Sequence, residues 1–298
     1  VAHARRIERI LPSPPPHWVG DGFHVASVVS PQRTGDHLSP FILMDYGGPD
    51  EYAPATTPRG VDTHPHRGFE TVTVVYAGEL EHRDSAGNHG SIGPGDVQWM
   101  TAARGVLHEE KHSERFTREG GTMEMAQLWV NLPARHKLAA PRYQTLLAGE
   151  IPAIALPGGA GRVRLIAGAW DGVEGAARTF TPVLLWDARV EAGASASLPV
   201  PAGFTAAVFV RRGSLMAEDT NSEPRVVRER ELAVLERDGA AFEVRSEAGA
   251  EFLVLGGLPL DEPVAAYGPF VMNTQEEIAQ AVADFRAGAF GTMPPRAR

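Results

Sequence analysis

The chain has no cysteine. That excludes disulfides, thiolate nucleophiles and the sulfur-rich zinc modules, and leaves nitrogen and oxygen as the donors for any bound metal. It has no apolar run long enough for a spanning helix, so no membrane association is expected. The first residues, Val1-Ala2-His3-Ala4-Arg5-Arg6, lack the apolar stretch of a secretory signal, and a cytoplasmic location is expected. Positive charge is in deficit, with 28 Lys and Arg against 37 Asp and Glu, a formal net charge of −9. Binding to nucleic acid needs a basic footprint, so direct contact with it is not expected, whereas a protein partner is compatible with this surface. Histidine is absent after His136, so the second half cannot build a histidine metal site.

What the chain does have points to strands. Of 298 residues, 43% are hydrophobic, enough to fill one large or two modest cores. The 32 Gly and 24 Pro fall between short apolar runs, the pattern of a turn-rich β protein. Strands are expected at Phe23 to Val29, Phe41 to Met44, Thr71 to Tyr76, Leu80 to Arg83, Val97 to Met100, Gly105 to Glu110 and Ala126 to Leu132. The rhythm returns at Val183 to Trp186, Thr205 to Val210, Leu232 to Leu235, Ala241 to Val244 and Phe252 to Leu255. Pro12 to Pro16, Gly47-Gly48-Pro49 and Gly93-Pro94-Gly95-Asp96 read as turns or loops, and Ser85-Ala86-Gly87-Asn88 as a hairpin turn.

Strands this short and closely spaced suggest sandwiches or barrels. A weak repeat relates Val74-Val75-Tyr76-Ala77-Gly78-Glu79-Leu80 to Phe209-Val210-Arg211-Arg212-Gly213-Ser214-Leu215, as a duplicated barrel would. The polar, basic stretch Pro133 to Gln144 is the expected connection, giving domains 1–140 and 141–298. Near the end, Thr274 and Glu277 fit a capping box, and Ile278, Ala281, Val282 and Phe285 form one apolar stripe. A helix over 274–287, packed on a barrel, follows.

The chemistry concentrates in two clusters. His64 and His66 stand two apart ahead of a strand, so both project from one face, a half-site for a transition metal. About forty residues later, Leu107-His108-Glu109-Glu110 offers a third imidazole. Strand parity puts His108, Glu110 and His112 on one face and Leu107, Glu109 and Lys111 on the other. Glu70 has the same parity as His64 and His66. The candidate ligands are therefore His64, His66, His108, Glu110, Glu70 and His112. Three histidines and a carboxylate suit iron(II), manganese, nickel or copper in a site with open positions.

These motifs resemble a known family. His64-Pro65-His66-Arg67-Gly68-Phe69-Glu70-Thr71-Val72 is similar to the signature of the pirins, metal-binding bicupins. So are Gly95-Asp96-Val97-Gln98-Trp99-Met100-Thr101-Ala102, Arg104-Gly105-Val106-Leu107-His108, Gln127-Leu128-Trp129-Val130-Asn131-Leu132 and Gly268-Pro269-Phe270-Val271-Met272-Asn273-Thr274. His17-Trp18-Val19-Gly20-Asp21-Gly22-Phe23 matches the N-terminal region. The resemblance covers nearly the whole chain. It implies an all-β fold of two tandem cupin barrels of jelly-roll type, with a C-terminal helix and one divalent metal in the first barrel. That metal is usually iron(II), with Mn, Ni, Cu or Co as alternatives. Carried over by position, the ligands are His64, His66, His108 and Glu110, whereas the general cupin pattern would make Glu70 the ligand.

The resemblance further implies a quercetin 2,3-dioxygenase activity, in which a flavonol and O2 are the substrates and Glu110 doubles as the general base. The alternative it implies is a metal- or redox-dependent regulatory protein that binds a transcription factor or a metabolic enzyme. Around this set, Trp99 and Trp129 read as barrel core and Gln127 either as a partner behind the ligands or as a solvated strand residue. Arg67 reads as a surface salt bridge, His82 and His89 as hairpin surface, and His112 as a local surface residue.

Overall fold

Short β-branched and aromatic runs fold as the strands their composition favours. A computed structural model describes residues 4–295. Phe23–Val29 and Leu232–Leu235 are strands at the expected bounds. Most of the other expected strands shift or extend by a few residues, as in Phe69–Ala77, Leu80–Asp84, Val97–Thr101 and Val106–His112, while Phe41–Tyr52 and Thr205–Glu218 run well past their expected ends. Ser85 to Asn88 turns the hairpin between Leu80–Asp84 and His89–Ile92, with Gly87 at φ 89°. Gly47-Gly48-Pro49 departs from the expected turn and lies inside the strand Phe41–Tyr52. The reason is close packing: a Cβ on Gly48 would stand 2.1 Å from Met123 O, so the glycine lets two backbones meet where a side chain would hold them apart.

The chain divides into two compact units. One comprises Pro15–Val29, Ile42–Ala148 and the residues from Asp261 on. Its seven-stranded sheet runs in the order Arg142–Leu146, Val97–Thr101, Phe69–Ala77, Gly121–Asn131, Phe41–Tyr52, Phe23–Val29 and His17–Val19. Its four-stranded sheet runs Gly60–His66, Val106–His112, Leu80–Asp84 and His89–Ile92. Apolar side chains such as Val75, Leu80, Ile92, Met123 and Met125 form part of the core of this unit.

The other unit comprises the residues up to Pro14, Ser30–Phe41 and Gly149–Leu260. It carries an eleven-stranded sheet over an apolar core that includes Trp186, Val208, Phe242 and Phe252. Of the two glycines in the weak repeat, Gly78 joins two strands at φ 85° and Gly213 lies within the strand Thr205–Glu218 at φ 73°. Among the described residues, no helix is long and apolar enough to cross a membrane.

The units are not the contiguous halves 1–140 and 141–298. Each chain end joins the unit built mainly from the other half. Ile7–Leu11 pairs with Leu232–Leu235, and the buried Arg5 guanidinium donates to the carbonyls of Pro201, Phe204, Glu236 and Gly239. At the other end, the helix Gln275–Arg286 begins at the expected capping box and buries Ile278 and Ala281, while Phe285 stays 39% exposed. It belongs with the first unit, where Arg67 donates to Asp284 at 2.7 Å. Gly68 explains the join, since at φ 91° a Cβ there would lie 1.9 Å from Val271 O. The buried Lys137 ammonium completes it by donating to Gly68 O, Val271 O and Asn131 Oδ1.

Candidate metal centre

The site is assembled by pairing two strands of the four-stranded sheet. Gly60–His66 and Val106–His112 run antiparallel, with His64 opposite His108 and His66 opposite Val106. Alternation puts His64 and His66 on one face, and the register brings His108 to the same place. The donor atoms of these three imidazoles all lie within 4.8 Å of one another. His64 Nε2 and His66 Nε2 are 3.1 Å apart. Two nitrogens bound at right angles to one ion, each at about 2.1 Å, would stand about 3 Å apart, so the pair is spaced as adjacent ligands. His108 Nε2 is buried and has no hydrogen-bond partner in the structure, an uncompensated lone pair of the kind a cation satisfies.

Glu110 lies on the same face of Val106–His112 as His108, and one of its carboxylate oxygens falls within 4.8 Å of donor nitrogens of His108 and His82. The two donor groups thus share His108. The Glu110 carboxylate is held from the facing sheet. Its Oε1 accepts from Thr73 Oγ1 at 3.2 Å and from Gln98 Nε2, and its Oε2 accepts from Gln127 Nε2 at 2.6 Å. Thr73, Gln98 and Gln127 are brought together by register, because Thr73 stands opposite both Gln98 and Gln127. Gln127 is therefore a partner behind the candidate ligands and not a solvated strand residue.

The electrostatics leave these rings free to act as donors. Burial, reinforced by the neighbouring His64, pushes the His66 and His108 imidazoles well below their ordinary pKa. Both rings are neutral at physiological pH, and a neutral imidazole carries the lone pair that a metal needs. The donor set fits one divalent transition metal.

Glu70 is not part of this cluster. Its parity with His64 and His66 is broken at Arg67-Gly68, where one strand ends and the next begins with Gly68 at φ 91°. Within Phe69–Ala77, Thr73 faces Glu110 while Glu70 lies on the opposite face, where it accepts from Thr101 Oγ1 at 2.6 Å. His112 is also apart. It is only 2% exposed, which corrects the surface reading, and its Nε2 contacts Gly22 O at 2.9 Å among Phe23, Tyr52 and Phe116. Arg67 is buried rather than a surface residue, donating to Arg104 O and Asp284. Trp99 is fully buried core, while Trp129 stacks on Phe69 and meets His66 in a T-shaped contact with ring centroids 5.3 Å apart.

Sequence reasoning missed His82 and Asp84. His82 is not hairpin surface. It is 1% exposed, stacks on Tyr143 at 4.5 Å between centroids, and lies between Asp84 and His108. Burial raises the Asp84 carboxyl, but hydrogen bonds from His82 and Asn88 outweigh that and leave it below its ordinary value. The signal was present in Leu80-Glu81-His82-Arg83-Asp84, where the apolar Leu80 marks the inward face and both residues share its parity.

Comparison with known proteins accords with this architecture. A family model described as Pirin matches residues 22–130, and one described as Pirin C-terminal cupin domain matches residues 185–291. A Pseudomonas aeruginosa protein named "putative quercetin 2,3-dioxygenase" is 54% identical over 274 residues, covering 92% of this chain and 94% of that one. Mouse pirin is 38% identical over 253 residues, covering 84% of this chain and 82% of its own. A crystal structure of quercetin 2,3-dioxygenase from Acinetobacter baumannii superposes with a TM-score of 0.92 at 46% identity, covering 97% of this chain and 99% of that one.

Proposed function

The chain belongs to the pirin family, and on that premise we propose that it is a metal-dependent dioxygenase of the quercetin 2,3-dioxygenase type. In this reading His64, His66, His108 and Glu110 hold one divalent transition metal, iron(II) first, with manganese, nickel, copper or cobalt as the other ions the donor set admits. The observation that carries it is the convergence of three imidazole nitrogens within 4.8 Å beside a buried carboxylate. The similarity to proteins named as quercetin 2,3-dioxygenases supports the substrate class.

A bound metal supplies Lewis acidity toward a flavonol hydroxyl and the electron traffic that dioxygen chemistry requires. Glu110 accepts the proton of that hydroxyl at Oε2, the oxygen that takes a single hydrogen bond from Gln127. Gln98 and Thr73 hold the other oxygen and so keep the carboxylate oriented while the proton moves. The Phe69–Trp129 stack beside His66 gives the site an aromatic wall suited to a flat ring system. Both atoms of O2 enter the products, the oxygen heterocycle opens, and carbon monoxide leaves.

The test is anaerobic loading with Fe(II), followed by quercetin and air, with flavonol absorbance recorded. Metal-dependent loss of the absorbance that disappears in His66→Ala is expected. Absorbance that stays unchanged with the loaded protein would defeat the dioxygenase reading, and redox-dependent capture of a protein partner would then favour the regulatory one.

A further inference from the structure

Asp84, His82 and His108 stand in a row on adjacent strands, and their hydrogen-bonding capacities fix where each ring hydrogen must sit. Asp84 closes the hairpin. Its Oδ1 accepts from Ala86 N and Asn88 N, both at 2.9 Å, and from Asn88 Nδ2 at 3.1 Å. Its Oδ2 accepts from Asn88 Nδ2 at 2.8 Å and faces His82 Nε2 at 3.2 Å. A carboxylate surrounded by N–H donors only accepts, so the hydrogen between it and His82 belongs to His82 Nε2. In its neutral form the His82 imidazole carries one ring hydrogen, which leaves Nδ1 as an acceptor. It faces His108 Nδ1 at 3.5 Å, the long end of a hydrogen bond, and two bare lone pairs there would repel. His108 Nδ1 therefore carries its hydrogen, and His108 Nε2 is bare.

That bare nitrogen is the buried, partnerless one in the candidate metal centre. The opposite strand reaches the same outcome by other means. His64 Nδ1 lies 2.7 Å from Asp62 O, an acceptor only, so its neutral ring turns a bare Nε2 toward His66 Nε2 at 3.1 Å, a lone-pair contact that a shared cation would relieve. The His82 ring is clamped as well. It stacks on Tyr143 with planes 15° apart, and the Tyr143 hydroxyl donates to Gln98 Oε1, whose own amide holds Glu110.

We infer that His82, anchored by Asp84, is a positioning residue that fixes His108 in the Nδ1–H form and aims its Nε2 lone pair at the metal. This rests on the metal reading above and deepens it. The carboxylate–histidine–histidine chain is a hydrogen-bonded support behind a ligand, of the kind that orients metal-binding imidazoles. Both His82 ring nitrogens are committed, Nε2 to Asp84 and Nδ1 to His108.

The experiment has two arms. In the first, long-range proton–nitrogen correlation spectra of the metal-free wild type, labelled with 15N-histidine, report which ring nitrogen of each histidine carries hydrogen. His82 in the Nε2–H form and His108 in the Nδ1–H form are expected, and His108 protonated at Nε2 overturns the inference. The second arm is calorimetric titration with Ni(II). His82→Leu is expected to weaken Ni(II) binding about 10- to 100-fold in protein that still unfolds cooperatively. His82→Asn, whose Oδ1 can accept from His108 Nδ1, is expected to stay within about threefold of wild type.

Wild-type affinity in His82→Leu, or equal loss in both variants, overturns the positioning role. If His82→Leu fails to fold, the spectra of the wild type still decide. If the wild type itself binds no Ni(II), Fe(II) or Co(II), the metal reading fails, and the hydrogen positions alone decide this inference.

Discussion

Gln127 reaches across from the seven-stranded sheet to donate a 2.6 Å hydrogen bond to Glu110 Oε2 on the four-stranded sheet. The contact ties the carboxylate of one sheet to the scaffold of the other. A support of this kind is worth a factor of about ten or more in metal affinity. Gln127→Leu is expected to weaken Ni(II) binding about tenfold, measured by calorimetric titration, while the melting temperature of the metal-free protein changes little.

The two candidate carboxylates should separate cleanly. Glu110 stands beside His108, and Glu70 faces Thr101 on the other side of its strand. Glu110→Gln is expected to lower Ni(II) affinity by about tenfold or more, and Glu70→Gln to leave it within about threefold. The reverse order would restore the general cupin pattern.

Glu70 also makes a pH prediction. Burial, partly offset by Thr101 and Arg142, pushes its carboxyl up to about 7. A carboxyl whose pKa is raised on folding holds more protons folded than unfolded between about 4.3 and 7. Its relative contribution is fully present below the lower value and is lost as pH rises through the upper one. Glu70→Gln removes this dependence. The stability of wild type relative to the variant is expected to fall by about 2–3 kcal/mol from pH 5 to pH 8, read from urea unfolding at the two pH values.

Gly68 sits at φ 91°, with Val271 O 1.9 Å from where a Cβ would be. Gly68→Ala must both strain the backbone and displace the segment that Lys137 pins. A loss of about 3 kcal/mol or more is expected, read as a lowered unfolding midpoint.

Metal should also stabilise the fold. With one site that exists only in the native state, Ni(II) at about a hundred times its Kd is expected to add about 2.7 kcal/mol. The matching rise in melting temperature should vanish with a chelator and in His66→Ala.

Much of the site could be read directly from the chain because it depends on alternation within a strand. His64 and His66 share a face by spacing alone, and so do His108 and Glu110. Parity fails where a strand ends. By parity alone Glu70 continues the face of His66, but Gly68 resets the direction, and no count of residues carries across a left-handed glycine. His82 was overlooked for a related reason. On a short hairpin strand a histidine is polar by composition, and only the inward Leu80 on the same face reveals its burial.

The sequence by itself determined the chemistry available: no sulfur donors, one histidine-bearing half, and two strand motifs able to turn imidazoles inward. These are local properties, set by residue type and the two-residue period of a strand. Only the tertiary structure decided which carboxylate lies beside His108, which polar groups hold that carboxylate, and which unit each chain end completes. Those outcomes depend on register between strands far apart in the chain and on backbones meeting at Gly48 and Gly68, and such long-range contacts have no local periodicity to announce them.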